Sequence, residues 1–204
     1  MKRGSCGTGK GGRPVLSVSP PVESRGRKPL NAIPADALPD EFGRNIRAGN
    51  SVRLTQRRAR MDITWVTDRI AVGGGIWHAD NMAAVSRAGI THVIDMQIEF
   101  DDTPLAEPHG IAVCWNPVDD DFEPKPRAVF ARGVGFALKA LKEPETKLFI
   151  HCAAGVHRAP MMTLALLGTM GWTMEAAMDL IEARRPAADF AEVYVRSVEE
   201  FLNG

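Results

Sequence analysis

From residue 61 onward, short apolar runs alternate with longer amphipathic stretches. ITWV at 63–66 and RIAV at 69–72 read as brief strands, broken by the glycine triplet Gly73, Gly74 and Gly75. Residues 80–87 carry helical spacing, with Gly89 as the stop signal. THVIDM at 91–96 and IAVCW at 111–115 are continuous apolar runs of the buried-strand type. An acidic loop, NPVDDDFEP, follows at 116–124. Over 127–141 the apolar positions Val129, Phe130, Val134, Phe136, Ala137, Leu138 and Leu141 recur at helical intervals. KLFIH at 147–151 is a third buried strand, and helices are predicted over 159–170, 173–184 and 189–202. Strands alternating with helices predict an α/β domain over 61–204. Its central, mostly parallel sheet should have four to five strands, with helices on both faces.

Residues 1–60 follow no such pattern. Gly, Pro, Ser and Arg dominate (GRPVLSVSPPVESRGRKP), which predicts a disordered basic tail. The net charge of zero hides the asymmetry: 1–60 carries 13 basic and four acidic side chains, and 61–204 carries 12 and 21. Three readings of the tail stand side by side. It could seek nucleic acid or an anionic surface, it could be an Arg-rich transit segment, or Met61 could be the start of the native protein. GSCGTGK at 4–10 has Walker A spacing, but Gly11 stands where the magnesium-holding Ser or Thr belongs, and no strand precedes it. No apolar run approaches the 18 residues of a membrane span. Cys6, Cys114 and Cys152 form neither a disulfide framework nor a zinc-type pair, so a reducing, cytoplasmic setting is expected. Cys114 reads as a buried strand cysteine rather than a disulfide partner for Cys152.

The chemistry concentrates in HCAAGVHRAP, 151–160. A strand ends at His151, five residues turn, and a helix begins near Arg158. The N–H groups of such a turn, with a helix N-terminus behind them, make an anion site. Gly155 gives the turn backbone freedom, and Pro160 suits a first helical turn. Arg158 can fork two hydrogen bonds onto an oxyanion. Cys152 lies at the base of this cradle, where the field that attracts phosphate also favours thiolate over thiol. The phosphate-binding set is therefore Ala153, Ala154, Gly155, Val156, His157 and Arg158. His151 is expected to point away from the substrate and to tune Cys152 by hydrogen bonding. His157 reads as a solvated loop side chain.

These residues resemble the cysteine-dependent protein tyrosine phosphatases, and within them the small dual-specificity phosphatases, whose motif is HCxxGxxR followed by Ser or Thr. His151, Cys152, Gly155 and Arg158 match it. ITWVTDRIAVGG and GITHVID are similar to the family's opening hairpin and following strand, and RRP at 184–186 to its penultimate-helix end. The resemblance implies attack by Cys152, a phosphocysteine intermediate, and no metal or organic cofactor. It also implies a general acid about thirty residues upstream, and Asp120 fits, with Asp119 and Asp121 read as a solvated acidic turn. Ala159 replaces the hydroxyl that helps sulfur leave in the second step, so slower turnover is expected.

The loop interior holds no lysine, which leans away from phosphoinositides and toward phosphotyrosine and phosphoserine/threonine in proteins. Partners are thus a phosphorylated protein or another phosphomonoester, with no membrane span. A glucan or other non-protein phosphatase stays open, because active starch phosphatases of the family also read R-A-P. Trp65, Trp77, Trp115, Trp172 and Tyr194 read by default as packing residues. A phosphate-binding pseudophosphatase and a sulfur-transfer or redox enzyme remain as other classes.

Overall fold

The computed structural model describes residues 61–204. The expectations for 1–60, tail and Walker-like loop included, lie outside the described residues. Five strands form one sheet: β1 (Ile63–Trp65), β2 (Ile70–Gly73), β3 (His92–Asp95), β4 (Ala112–Trp115) and β5 (Leu148–His151). Their order is β1-β2-β5-β3-β4, with β1 antiparallel to β2 and every other pairing parallel. Six α-helices accompany them: α1 (Ala79–Arg87), α2 (Thr103–Ala106), α3 (Arg127–Ala140), α4 (Arg158–Thr169), α5 (Met174–Arg184) and α6 (Glu192–Asn203). The sheet and its two helical layers match the predicted α/β architecture.

The continuous apolar runs of β3 and β5 follow from burial on both faces. Ile94, Leu148 and Ile150 point into a core closed by Phe130 and Val134 of α3, Leu164 and Leu167 of α4, Ile181 of α5 and Val198 of α6. Their neighbours Val93 and Phe149 alternate onto the other face, against Met82 and Val85 of α1. β5 is the middle strand, with Gly73 and Asp95 flanking His151 in register. Its C-terminal end therefore opens between two parallel neighbours, the crevice where α/β sheets gather their ligands.

Two expectations change, and one element was not anticipated. IAVCW is not a buried strand: β4 pairs only with β3 at the sheet edge, and Trp115 remains 42% exposed. The short α2, followed by a 3-10 turn at Glu107–His109, was not legible in TPLAEPH. The last helix begins at Glu192 rather than 189, because Asp189 is held in the preceding loop, its N–H donating to Val156 O at 2.8 Å. Cys114 is free, as expected, but only half-buried, because the edge strand leaves it partly open. It lies two strands from β5, a separation of about 9.5 Å, beyond the ~7 Å that a disulfide with Cys152 tolerates.

Candidate active site

The loop from Cys152 to His157 is shaped from outside, by what holds its carbonyls. Ala153 O accepts from Gly75 N–H at 3.0 Å, and Val156 O from Asp189 N–H. Buried Arg185 donates to Ala154 O at 3.1 Å and to Gly155 O at 2.7 Å, and itself forks onto Asp62 at 2.9 and 2.7 Å. Four consecutive carbonyls are thus drawn outward. In a planar trans peptide the N–H points opposite to the C=O, so the amides of Ala154, Gly155, Val156 and His157 turn inward. The Gly155 amide shows where inward is, since it donates to Cys152 Sγ at 3.2 Å. Gly155 sits at φ 67°, and a Cβ there would lie 2.5 Å from the Gly73 backbone. Both backbone and space therefore require glycine. Arg185, the second Arg of the RRP stretch, is a loop-building residue whose role the sequence did not disclose.

Arg158 opens α4 and is buried. Glu99, in the loop after β3, grips it in two-pronged fashion: Nη1 to Oε2 at 2.9 Å and Nη2 to Oε1 at 2.8 Å. Nη1 also donates to Val118 O at 3.1 Å. The Arg158 hydrogen bond holds the Glu99 carboxyl below its ordinary range. Arg158 Nε is buried and has no hydrogen-bond partner among the described residues, leaving a charged N–H available to an oxyanion. Glu99 was missed in the sequence, 59 positions from the arginine it orients.

Asp120 is brought to the same place, its Oδ2 lying 3.8 Å from Arg158 Nε. The hydroxyl of Tyr194, on α6, donates to Asp120 Oδ1 at 3.0 Å and accepts from Phe122 N–H at 2.9 Å. Phe122 takes a left-handed φ of 58° and stacks on the Tyr194 ring, 5.8 Å between centroids. Burial and the neighbouring Asp120 push the Tyr194 phenol up to about 12, so it stays a donor. The packing reading of Tyr194 was incomplete: it is 1% exposed and also pins the acid loop. Asp119 and Asp121 are exposed, Asp121 pairing with Lys125, in keeping with a solvated turn. His157 is not a solvated side chain. Only 19% exposed, it lies between Asp120 and Asp189, with Nδ1 3.1 Å from Asp120 Oδ2.

His151 points away from the cradle, but its ring makes no hydrogen bond to Cys152. The tuning expected through such a bond is absent among the described residues. Nε2 lies instead 2.8 Å from Asp102 Oδ2 and 3.8 Å from Asp95 Oδ1, all three residues being fully enclosed. Burial is the main cause that raises the Asp95 carboxyl to about 7, against an opposing pull from His151. Between the unfolded value near 4 and about 7, the folded state therefore binds the extra proton, and stability falls as pH rises. Over that window the loss attributable to Asp95 is about 4 kcal/mol. Asp95→Asn cannot ionise, so urea unfolding at pH 4.5 and 7.5 should show a markedly flatter pH dependence than wild type. Equal slopes in the two proteins would remove Asp95 as the source.

A thiol at the floor of an amide cradle, a guanidinium at its wall and a carboxylic acid above define the class of site that phosphate-transferring cysteine enzymes use. Residues 76–203 match the family described as dual specificity phosphatase, catalytic domain, and the chain belongs to it. Among curated proteins it is 30% identical over 105 residues to protein tyrosine phosphatase type IVA 3 of Mus musculus, covering 51% of this chain and 60% of that one. It is 25% identical over 131 residues to protein phosphatase Slingshot homolog 2 of Homo sapiens, covering 63% of this chain and 9% of that one. The chain thus spans less than two thirds of either relative. Among solved structures, PTPMT1 in complex with PI(5)P is similar in fold. The TM-score is 0.62 at 20% identity, over 69% of this chain and 94% of that one.

Proposed function

We propose that the protein hydrolyses phosphomonoesters through a phosphocysteine intermediate, acting on phosphotyrosine and phosphoserine/threonine in proteins. The observation that carries this is a loop whose four amides turn inward, one of them donating to the Cys152 sulfur, together with a buried Arg158 Nε that has no hydrogen-bond partner among the described residues. Cys152 Sγ attacks phosphorus in line while the bond to the leaving oxygen breaks, and Asp120 gives that oxygen a proton. Asp120 then takes a proton from water as its oxygen joins phosphorus, and the S–P electron pair returns to Cys152. The cradle and Arg158 meet the charge on the equatorial oxygens in both steps. A cytoplasmic setting, which keeps the thiol reduced, accompanies this reading.

A phosphoinositide reading is suggested by the PI(5)P complex of the structural neighbour. The rim argues otherwise. Side chains 153–156 carry no charge, and the exposed acids around the site include Glu99, Asp119, Asp121 and Asp189. A second phosphate on the substrate would meet carboxylates rather than lysines. The test is kcat/KM for a phosphotyrosine peptide, a phosphothreonine peptide and PI(5)P in mixed vesicles. The peptides are expected to exceed the lipid by about tenfold or more, one unfavourable charge contact being worth ~1.4 kcal/mol. A preference for the lipid would sink the protein-substrate reading while leaving the chemistry intact.

A further inference from the structure

His157 is the loop side chain that phosphate binding leaves unused. Its ring stands between two carboxylates: Nδ1 is 3.1 Å from Asp120 Oδ2, and Nε2 is 3.2 Å from Asp189 Oδ2. Phe122 and the imidazole pack in a T-shaped pair, with ring centroids 5.0 Å apart, and the Tyr194 ring centroid lies at 6.4 Å. The charged and titratable groups around this chain are few. Asp120 comes from the acid loop, Asp189 from the α5–α6 loop, and the Tyr194 hydroxyl from α6. The fourth is Arg158, with Nε 3.8 Å from the oxygen that His157 also faces. Asp189 is docked as well as close, because its own N–H holds Val156 O.

The proton inventory of this chain is constrained. A neutral imidazole offers one donor nitrogen and one acceptor nitrogen, whereas ionised carboxylates only accept. With both carboxylates ionised and His157 neutral, one of the two contacts would set acceptor against acceptor. One further proton, placed in the Nδ1···Oδ2 contact, satisfies both ends, with Nε2–H donating to Asp189.

We propose that His157, oriented by Asp189, stores the proton that Asp120 delivers to the leaving group. The proposal rests on the reading of Asp120 as general acid, and makes His157 a positioning residue acting through it. As the P–O bond breaks, its electron pair on the departing oxygen takes the proton from Asp120. The Nδ1···Oδ2 contact is left with a neutral imidazole and a carboxylate. When water attacks phosphocysteine, Asp120 accepts water's proton, which returns to that contact, and the S–P pair goes back to sulfur. One proton leaves and one returns in each turnover.

The experiment measures kcat/KM of the full 204-residue chain from pH 5 to 9 with 4-nitrophenyl phosphate and phenyl phosphate. The first has a good leaving group and the second depends on protonation. His157→Asn keeps a side-chain N–H near the Nδ1 position but stores no proton. It should lower the phenyl phosphate rate above pH 7 by about tenfold more than the 4-nitrophenyl rate, part of the 10²–10⁴ that general acids supply. The alkaline fall of the profile should begin about one pH unit lower. Asp189→Asn, at a side chain 65% exposed, should shift both readouts the same way by less. Wild-type ratios and profiles in both variants, with Asp120→Asn showing a raised ratio, would overturn the proposal. A wild-type ratio in Asp120→Asn would instead overturn the general-acid reading beneath it. If thermal unfolding shows His157→Asn to be misfolded, Asp189→Asn alone decides, a shift supporting the store and its absence refuting it.

Discussion

Cys152→Ser is expected to abolish hydrolysis of 4-nitrophenyl phosphate, with a fall of roughly 10⁴-fold or more, the scale on which removing a covalent nucleophile acts. Cys152 is 1% exposed and its sulfur accepts the Gly155 N–H, so it sits at the floor of the loop that is proposed to hold the substrate's oxygens. A serine hydroxyl in that place keeps its proton at neutral pH and has no base beside it. In wild type, rapid mixing should show a burst of close to one 4-nitrophenolate per active site, followed by slow turnover. The cause is Ala159, fully buried next to Arg158 and without a hydroxyl to donate to the departing sulfur. Restoring one hydrogen bond to a charged group is worth about 1.5–3 kcal/mol, so Ala159→Ser should speed the slow phase about ten- to a hundredfold. The burst itself should be unchanged. Absence of both burst and turnover in wild type, with vanadate still bound, would leave a phosphate-binding module instead of an enzyme.

What could be read beforehand shows where sequence information stops. The loop was legible because its parts are contiguous: strand, cysteine, glycine, arginine and helix lie within HCAAGVHR. The central strands were legible because two covered faces demand unbroken apolar runs, and β4 misled because an edge strand can carry the same letters while half open. Asp120 was singled out only through the family resemblance, which puts an acid after a strand about thirty residues before the cysteine. The groups that orient the machinery could not be read, because they arrive by tertiary contact from far along the chain. Glu99 meets Arg158 across 59 residues, Tyr194 meets Asp120 across 74, and Arg185 meets Asp62 across 123. Each looks like an ordinary surface charge or core aromatic until the fold supplies its partner. His157 is the middle case: in the sequence it reads as a solvated loop residue, and only the docking of the Asp120 and Asp189 loops gives it two carboxylates to bridge.

Arg158→Lys should lower kcat/KM by about 10³-fold, between the cost of one lost oxyanion donor and that of two. Lysine keeps the charge and loses the fork. In wild type the two Nη atoms are committed to Glu99 and to the Val118 carbonyl, and Nε is buried without a hydrogen-bond partner among the described residues. On the proposed reading one guanidinium serves an anchor and a substrate at once, because its donors diverge in a plane. A lysine ammonium is a compact point charge and will settle on the Glu99 carboxylate, drawing the charge away from phosphate. The inhibition constant for inorganic phosphate should then rise together with the loss of kcat/KM, since ground-state and transition-state oxygens lose the same donors. Glu99→Gln probes the anchor separately. It retains one oxygen for Nη2 but turns an amide N–H₂ toward Nη1, and about a tenfold loss is expected from a misplaced rather than missing guanidinium. Were Arg158→Lys to fall within about threefold of wild type, charge alone would suffice. The two-pronged grip of Glu99 would then be a stability feature with no part in catalysis.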